Sequence, residues 1–354
     1  MKTVLLTGAA GSVGSMLRPE LAGKYRMRLS DLRPIKKLMP DESFALGDVG
    51  RLSDMLRVTK GVDAIIHLGG FAVEGPWETI LRANIVGCYN LFEAARRNGV
   101  KRILFATSNH ACGFYRRDEK IDHRVYPRPD SRYGVSKAFG EQIGSVYADK
   151  YGLEVFCMRI GNVATLPADK RRLSIWVSPR DLAQLVEIGI DHPEIKFEIV
   201  YGVSGNKRSW YDNSNARRLG YQPQDDSELF AEAVLAKEKP AKDPRTEIYQ
   251  GGTFVAAELG GDPSRTTPKV TAKRATAKKA VKKTAGKTMS KRPAERWSSA
   301  ADRAPRVRAR CPTGISICSS SGTDDSNSFA RIFTSLLTLR SADERTRPSS
   351  IPCG

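Results

Sequence analysis

Over the first two hundred residues, short aliphatic and β-branched runs alternate with longer segments whose apolar residues recur three and four positions apart. The runs at 3–7, 27–30, 64–67, 102–106, 155–159 and 197–201 predict strands. The segments at 13–22, 52–58, 78–97, 133–151 and 181–190 predict helices that cover a sheet. Strands and helices in strict turn build parallel strands joined by crossovers, so the expected fold is α/β, a doubly wound parallel sheet. Beyond Gly205 the alternation stops. Turn formers gather at Asp212, Asn213 and Asn215, and a helical stretch follows at 228–236. These residues are too few for a second domain and predict a small substrate lobe, over about 160–261, above the carboxyl ends of the strands.

Composition separates a body, 1–261, from a tail, 262–354. The tail holds 20 Lys and Arg against 7 Asp and Glu, the body 38 against 32. Most of the net charge of +19 therefore belongs to the tail and says little about the body. Residues 269–292 are almost wholly Lys, Arg, Ala, Thr, Val and Gly, and the rest of the tail is rich in Ser, Arg and Pro. Such a segment buries too little apolar surface to offset its ordering entropy, and disorder is expected. Its run KRATAKKAVKKTAGK resembles the lysine-rich tails of linker histones, which leaves nucleic-acid binding open as a rival function. A solvated extension or a shifted reading frame past Gly261 is the favoured alternative, because only Trp297 stands near for stacking.

Six cysteines, at 88, 112, 157, 311, 318 and 353, form no CxxC pair and no zinc spacing, so no metal and a reduced, cytoplasmic chain are expected. The opening MKTVLLTGAAG is too brief for a signal-peptide core, and no stretch approaches the roughly 18 apolar residues of a membrane span. No membrane partner is expected.

Chemistry enters at the first predicted strand, which runs into TGAAGSVG. Gly8, Gly11, Ser12, Val13 and Gly14 fall where a tight turn brings backbone amides against a pyrophosphate at a helix N-terminus. Asp31, at the end of the next strand, is placed to bond ribose hydroxyls. It favours NAD, since a carboxylate would repel the extra phosphate of NADP, and Arg33 close by keeps NADP as the lesser alternative. Asp48, closing the strand segment FALGDV, is either an adenine contact or a helix cap. Val49 and Leu68, beside strand ends, are assigned to the same cofactor.

In SRYGVSK, Tyr133 and Lys137 are four residues apart and share a helix face. An ammonium there is expected to lower the phenol's pKa from about 10, making Tyr133 a general base. Ser108, just beyond the strand RILFAT, is placed to hold a substrate oxygen at the same sheet edge.

Glycine turn, strand-end acid, strand-end serine and helical Tyr/Lys, in this order, resemble the extended short-chain dehydrogenase/reductase superfamily. Further blocks, HLGGFAVEGPW, NIVGCYNLFEAAR, TSNHACGFY, YGVSKAFGE, VYGVSGNKRSWYDN and YQGGTFV, are similar to those of the uronate dehydrogenases and cover the body from end to end. The resemblance implies that Tyr133 is the base, that Lys137 tunes it and holds the nicotinamide ribose, and that Asn84 supports a water chain to that lysine. It implies that Ser108 orients the anomeric hydroxyl, that Asn109, His110 and Asn162 contact the sugar, and that Arg171 grips the uronate carboxylate. An Arg fork suits a carboxylate independently of any family. Two plainer readings stand beside these: His110 as a strand-end histidine bonded to backbone, and Arg171 within DKRR as one of a surface basic run. Ala72 and Asn162 depart from the family, where serines usually bind the sugar.

The activity implied is NAD-dependent oxidation of galacturonate or glucuronate at C1 to an aldarolactone, by a homo-oligomer. A dehydrogenase for a neutral or lactone sugar is the near alternative. A nucleotide-sugar epimerase is a further one, although such enzymes usually devote a larger C-terminal domain to the nucleotide than the stretch from Lys137 to Gly261 allows.

Overall fold

The computed structural model describes residues 1–257. The expectations for the tail, disorder and nucleic-acid binding alike, fall outside the described residues. Six of the seven main strands lie where hydrophobic patterning puts them: β1 (Thr3–Thr7), β2 (Arg26–Asp31), β4 (Ala64–His67), β5 (Arg102–Ser108), β6 (Glu154–Ile160) and β9 (Phe197–Gly202). The seventh, β3 (Glu42–Leu46), begins before the FALGDV segment and ends short of Asp48. All pair in parallel, in the order β3-β2-β1-β4-β5-β6-β9. The order reverses direction between β1 and β4, and open α/β sheets take their ligands in the crevice above such a point.

Apolar clusters fill both faces of the sheet. One gathers Leu6, Leu17, Leu29, Ile66, Phe156 and Val186; the other Leu5, Met55, Ile65, Leu91, Phe92 and Val155. Successive strand residues thus feed opposite faces, as in Leu5 and Leu6 or Ile65 and Ile66, and helices cover both. The covering helices are α1 (Ser12–Glu20), α2 (Leu52–Thr59), α4 (Gly87–Arg97), α5 (Arg132–Tyr151) and α7 (Pro179–Asp191).

The helix expected over 78–97 is not uniform. It opens as α3 (Trp77–Ile80), widens into a π-helical turn at Leu81–Val86, and only then continues as α4. A π turn carries an extra residue per turn, a register change that a six-residue stretch does not show in its apolar spacing. Helix α5 starts one residue earlier than expected because Ser131 caps it, accepting the Gly134 N–H at 3.0 Å.

Past β6 the chain builds the lobe: the two-residue strands β7 (Asn162–Val163) and β8 (Trp176–Val177), α6 (Arg172–Ile175), α8 (Ser214–Arg218), α9 (Ala231–Leu235), α10 (Arg245–Ile248) and α11 (Thr253–Ala256). Its own apolar cluster centres on Ile175, Tyr201, Trp210 and Tyr211. Among the described residues no helix is long and apolar enough to cross a membrane, and no cluster of three metal-ligating side chains occurs.

Candidate active site

A cleft of about 1360 Å³ runs along the carboxyl ends of β1, β2, β4 and β5 and is closed on its far side by the lobe. One half is lined by Gly8, Gly11, Ser12, Val13, Gly14, Asp31, Asp48, Val49 and Leu68, which with Lys137 are the residues that the sequence reading assigns to the cofactor. Gly8 has φ +70°, and a Cβ there would stand 2.7 Å from the Leu68 carbonyl carbon. Backbone packing, not flexibility, requires glycine at that position. Gly11 caps α1 with no side-chain hydrogen bond, so the first amides of the helix face the cleft uncapped. Asp31 Oδ2 accepts the Ala10 N–H and Oδ1 the Arg33 N–H, both at 3.0 Å, which pins the carboxylate at the rim. Asp48 is no helix cap, since Arg51 occupies the cap of α2; its carboxylate accepts the Gly50 N–H and pairs with Arg82.

The reactive half lies at the ends of β5 and β6. Tyr133, Lys137 and Ser108 all reach it, and all are buried. The expected electrostatics differ from those found. Burial pushes the Tyr133 phenol up to about 12, and only the Ser108 hydroxyl acts to lower it. Lys137 is not the group that brings the phenol down. Its Nζ donates to the Ala106 carbonyl at 2.8 Å and lies 5.5 Å from the Tyr133 ring centroid. Burial pulls this ammonium down to about 8. The Asn84 amide accepts the Phe71 N–H and donates to the Phe71 carbonyl and to Ser136 Oγ, which clamps the loop after β4 to α5.

Opposite Tyr133 stand the polar groups of the lobe side. Arg171 leaves its DKRR run: Arg172 pairs with Asp169, whereas Arg171 turns inward and lines the cleft. Its Nε donates to the Gln250 carbonyl at 2.7 Å; with the Asn109 amide turned to the orientation that satisfies both of its ends, Nη2 donates to Asn109 Oδ1 at 2.8 Å and Asn109 Nδ2 donates to the Ile160 carbonyl. Arg171 forms no ion pair among the described residues, and desolvation draws it down to about 10, which leaves it charged at neutral pH. Asn162, on β7, and Ala72 also line the cleft.

Asp130, Glu74 and Phe254, to which sequence reading gave no role, support this side of the cleft. His110 Nδ1 lies 2.7 Å from Asp130 Oδ2, and its ring stacks on Phe254 with centroids 3.8 Å apart. Glu74 accepts the Tyr133 N–H at 2.9 Å, tying the loop after β4 to the start of α5. Phe254 is held there because Arg117 donates to the carbonyls of Thr246 and Tyr249, while the Gln250 side chain donates to those of Arg116 and Glu119. The signal for Phe254 was its place in YQGGTFV; the signal for Asp130 was an acid directly before the cap of the Tyr/Lys helix.

Sheet order, glycine turn and buried Tyr/Lys/Ser set define a Rossmann-type dinucleotide-dependent protein of the extended short-chain dehydrogenase kind. Residues 4–188 match the NAD dependent epimerase/dehydratase family, and the chain belongs to it as a uronate dehydrogenase-like member. It is 46% identical over 256 residues to the uronate dehydrogenase of Pseudomonas putida, covering 72% of this chain and 96% of that one. It is 38% identical over 249 residues to the NAD-dependent glucose-6-phosphate dehydrogenase of Haloferax volcanii, covering 64% and 95%. The crystal structure of uronate dehydrogenase from Agrobacterium tumefaciens superposes with a TM-score of 0.70 at 41% identity, covering 73% and 98%. A mutant of that enzyme complexed with NAD gives 0.70 at 40%, covering 74% and 100%.

Proposed function

We infer that this chain is an NAD-dependent dehydrogenase acting on a CH–OH group, and that its substrate is a hexuronic acid oxidised at C1 to an aldarolactone. The observation that carries the substrate class is Arg171: a desolvated guanidinium inside the cleft, without an acidic partner among the described residues and joined through Asn109 to the strand end that holds Ser108. A bidentate carboxylate is the ligand such a fork suits best.

The residues present fit NAD. The Gly8–Gly14 turn and the uncapped start of α1 suit a pyrophosphate, Asp31 suits ribose hydroxyls, and Asp48, Val49 and Leu68 line the space beyond. When bound, the oxidised nicotinamide supplies the hydride acceptor and a positive charge. Once ionised, a state that the added positive charge would favour, the Tyr133 phenolate takes the C1 hydroxyl proton as the C1–H pair departs to that acceptor and C1=O forms. Ser108 orients that oxygen and draws the phenol's pKa downward, and Lys137 Nζ lies 5.5 Å from the ring centroid. Asn109, His110 and Asn162 address the remaining hydroxyls, and Asn84 keeps the loop carrying Ala72 in place.

The test is cofactor reduction by purified protein with galacturonate, glucuronate and the matching neutral sugars, with Tyr133→Phe as control. Reduction with the acids alone supports this reading, and no reduction with either acid removes it. Two further assignments accompany it. Val86 just before α4 and Tyr89 on it, with Val135 and Val146 on one face of α5, are exposed apolar side chains that support a homo-oligomer, testable by light scattering. The free, buried Cys88, Cys112 and Cys157 support a reducing, cytoplasmic setting.

A further inference from the structure

His110 is held on three sides. Nδ1 meets Asp130 Oδ2 at 2.7 Å, one face lies on Phe254, and Tyr133 approaches edge-on with centroids 5.9 Å apart. The Asp130 side chain is fully buried, and its second oxygen accepts the Ser131 hydroxyl at 2.7 Å. Room for the carboxylate exists because both residues flanking it are glycine. A Cβ on Gly113 would come within 1.8 Å of Oδ2, and one on Gly251 within 2.0 Å. The Gly251 N–H donates to the Gly113 carbonyl at 2.9 Å, so the cradle joins the segment after β5 to the C-terminal wall of the cleft. Burying a carboxylate is expensive, and packing alone does not explain one enclosed at this depth beside an imidazole.

The chemistry of the pair gives it a purpose. A carboxylate only accepts, so the hydrogen sits on His110 Nδ1, and the neutral ring then presents a lone pair at Nε2. Nε2 has no hydrogen-bond partner among the described residues, and His110 lines the cleft. We propose that Asp130 is a positioning residue that fixes the His110 tautomer, so that Nε2 accepts a hydrogen from one hydroxyl of the sugar. This rests on the reading of the cleft as a sugar-acid site. The dyad then reads whether one ring position carries a free hydroxyl, because a hydroxyl donates where an ether oxygen or a fluorine does not.

Asp130→Asn reverses the arrangement without changing shape. Ser131 Oγ already accepts the Gly134 N–H, so its own hydrogen is directed at Oδ1 of residue 130, the atom away from His110. The amide nitrogen is thereby turned towards His110 Nδ1, which moves the imidazole hydrogen to Nε2. The experiment uses the full chain with ¹⁵N-labelled histidine. Only four histidines are present, and His110→Gln assigns the resonance. Substrate-free wild type is expected to carry the His110 hydrogen on Nδ1, and Asp130→Asn to carry it on Nε2.

A second arm measures kcat/KM for galacturonates bearing fluorine in place of the 2-, 3- or 4-hydroxyl. Wild type should disfavour fluorine at one position by about tenfold or more, and Asp130→Asn should lose that preference while the other positions stay unchanged. Wild-type His110 protonated at Nε2 or at both nitrogens, or fluorine ratios identical in the two proteins, overturns the proposal. The spectrum decides the tautomer whether or not uronates turn over, so failure of the sugar-acid reading is seen separately.

Discussion

Lys137 Nζ lies over the face of the Tyr133 ring, 5.5 Å from its centre, and gives its hydrogen bond to the Ala106 carbonyl and not to the phenol oxygen. Burial acts on the two groups in opposite senses, holding the phenol up near 12 and the ammonium down near 8.

Tyr133→Phe removes the proton acceptor and leaves the cleft's shape. Turnover should fall by about 10²–10⁴-fold, with NAD affinity within a few-fold of wild type. Steady-state rates and nicotinamide-quenched fluorescence read the two quantities, and a variant that keeps wild-type kcat would eliminate the phenol from the mechanism.

Arg171→Met should raise KM for galacturonate by about 10–150-fold, the range expected on losing a charge-assisted hydrogen bond, while KM for NAD stays put. Comparing the variant on uronates and neutral sugars checks the assignment. Equal losses on both substrate classes would show that Arg171 does not read the carboxylate.

Much of this was legible along the chain, and the limits have physical reasons. β1, β4, β5 and β6 are buried on both faces, so their apolar runs are nearly continuous and stand out. The edge strand β3, ESFAL, carries mixed side chains and shows only in part. The glycine turn, Asp31, Ser108, Tyr133 and Lys137 obey local spacing, and the cleft gathers them all. Asp130 and Phe254 do not, because their contacts with His110 span 20 and 144 residues of chain. The phenol's raised pKa also lay beyond reach: helical spacing tells which side chains share a face, while burial decides which charge state that face favours.

Beneath the site, Arg159 donates to both oxygens of Glu141, at 2.9 and 2.8 Å, and neither side chain is more than 1% exposed. Glu141 also accepts from Thr107 on β5, so the pair ties α5 to two strands. Glu141→Gln or Arg159→Met alone should destabilise the protein by about 3–5 kcal/mol, because each strands a buried polar or charged partner. The double variant Glu141→Leu/Arg159→Met should recover most of that loss in urea unfolding. Additive losses would show that the pair acts independently.

His67 is wholly buried, with Nδ1 2.7 Å from Thr7 Oγ1, and burial pulls it from 6.5 down to about 3. Between those values the unfolded chain binds one proton that the folded chain refuses. Stability is thus fully present above about pH 6.5 and declines by about 1.4 kcal/mol per unit as pH falls towards 3. Urea midpoints across that window should flatten in His67→Asn. An unchanged slope in the variant would assign the acid sensitivity to other groups.

The close approach of Gly8 to Leu68 bears on how such an enzyme is redesigned. Two stretches of main chain touch at that turn, so no side chain can be added on the phosphate side without moving a strand end. Arg33 is instead exposed at the rim, and the half-buried Asp31 beside it lines the cleft with its side chain. Switching this scaffold between dinucleotides is accordingly a task for those two rim positions, with the glycine corner treated as fixed.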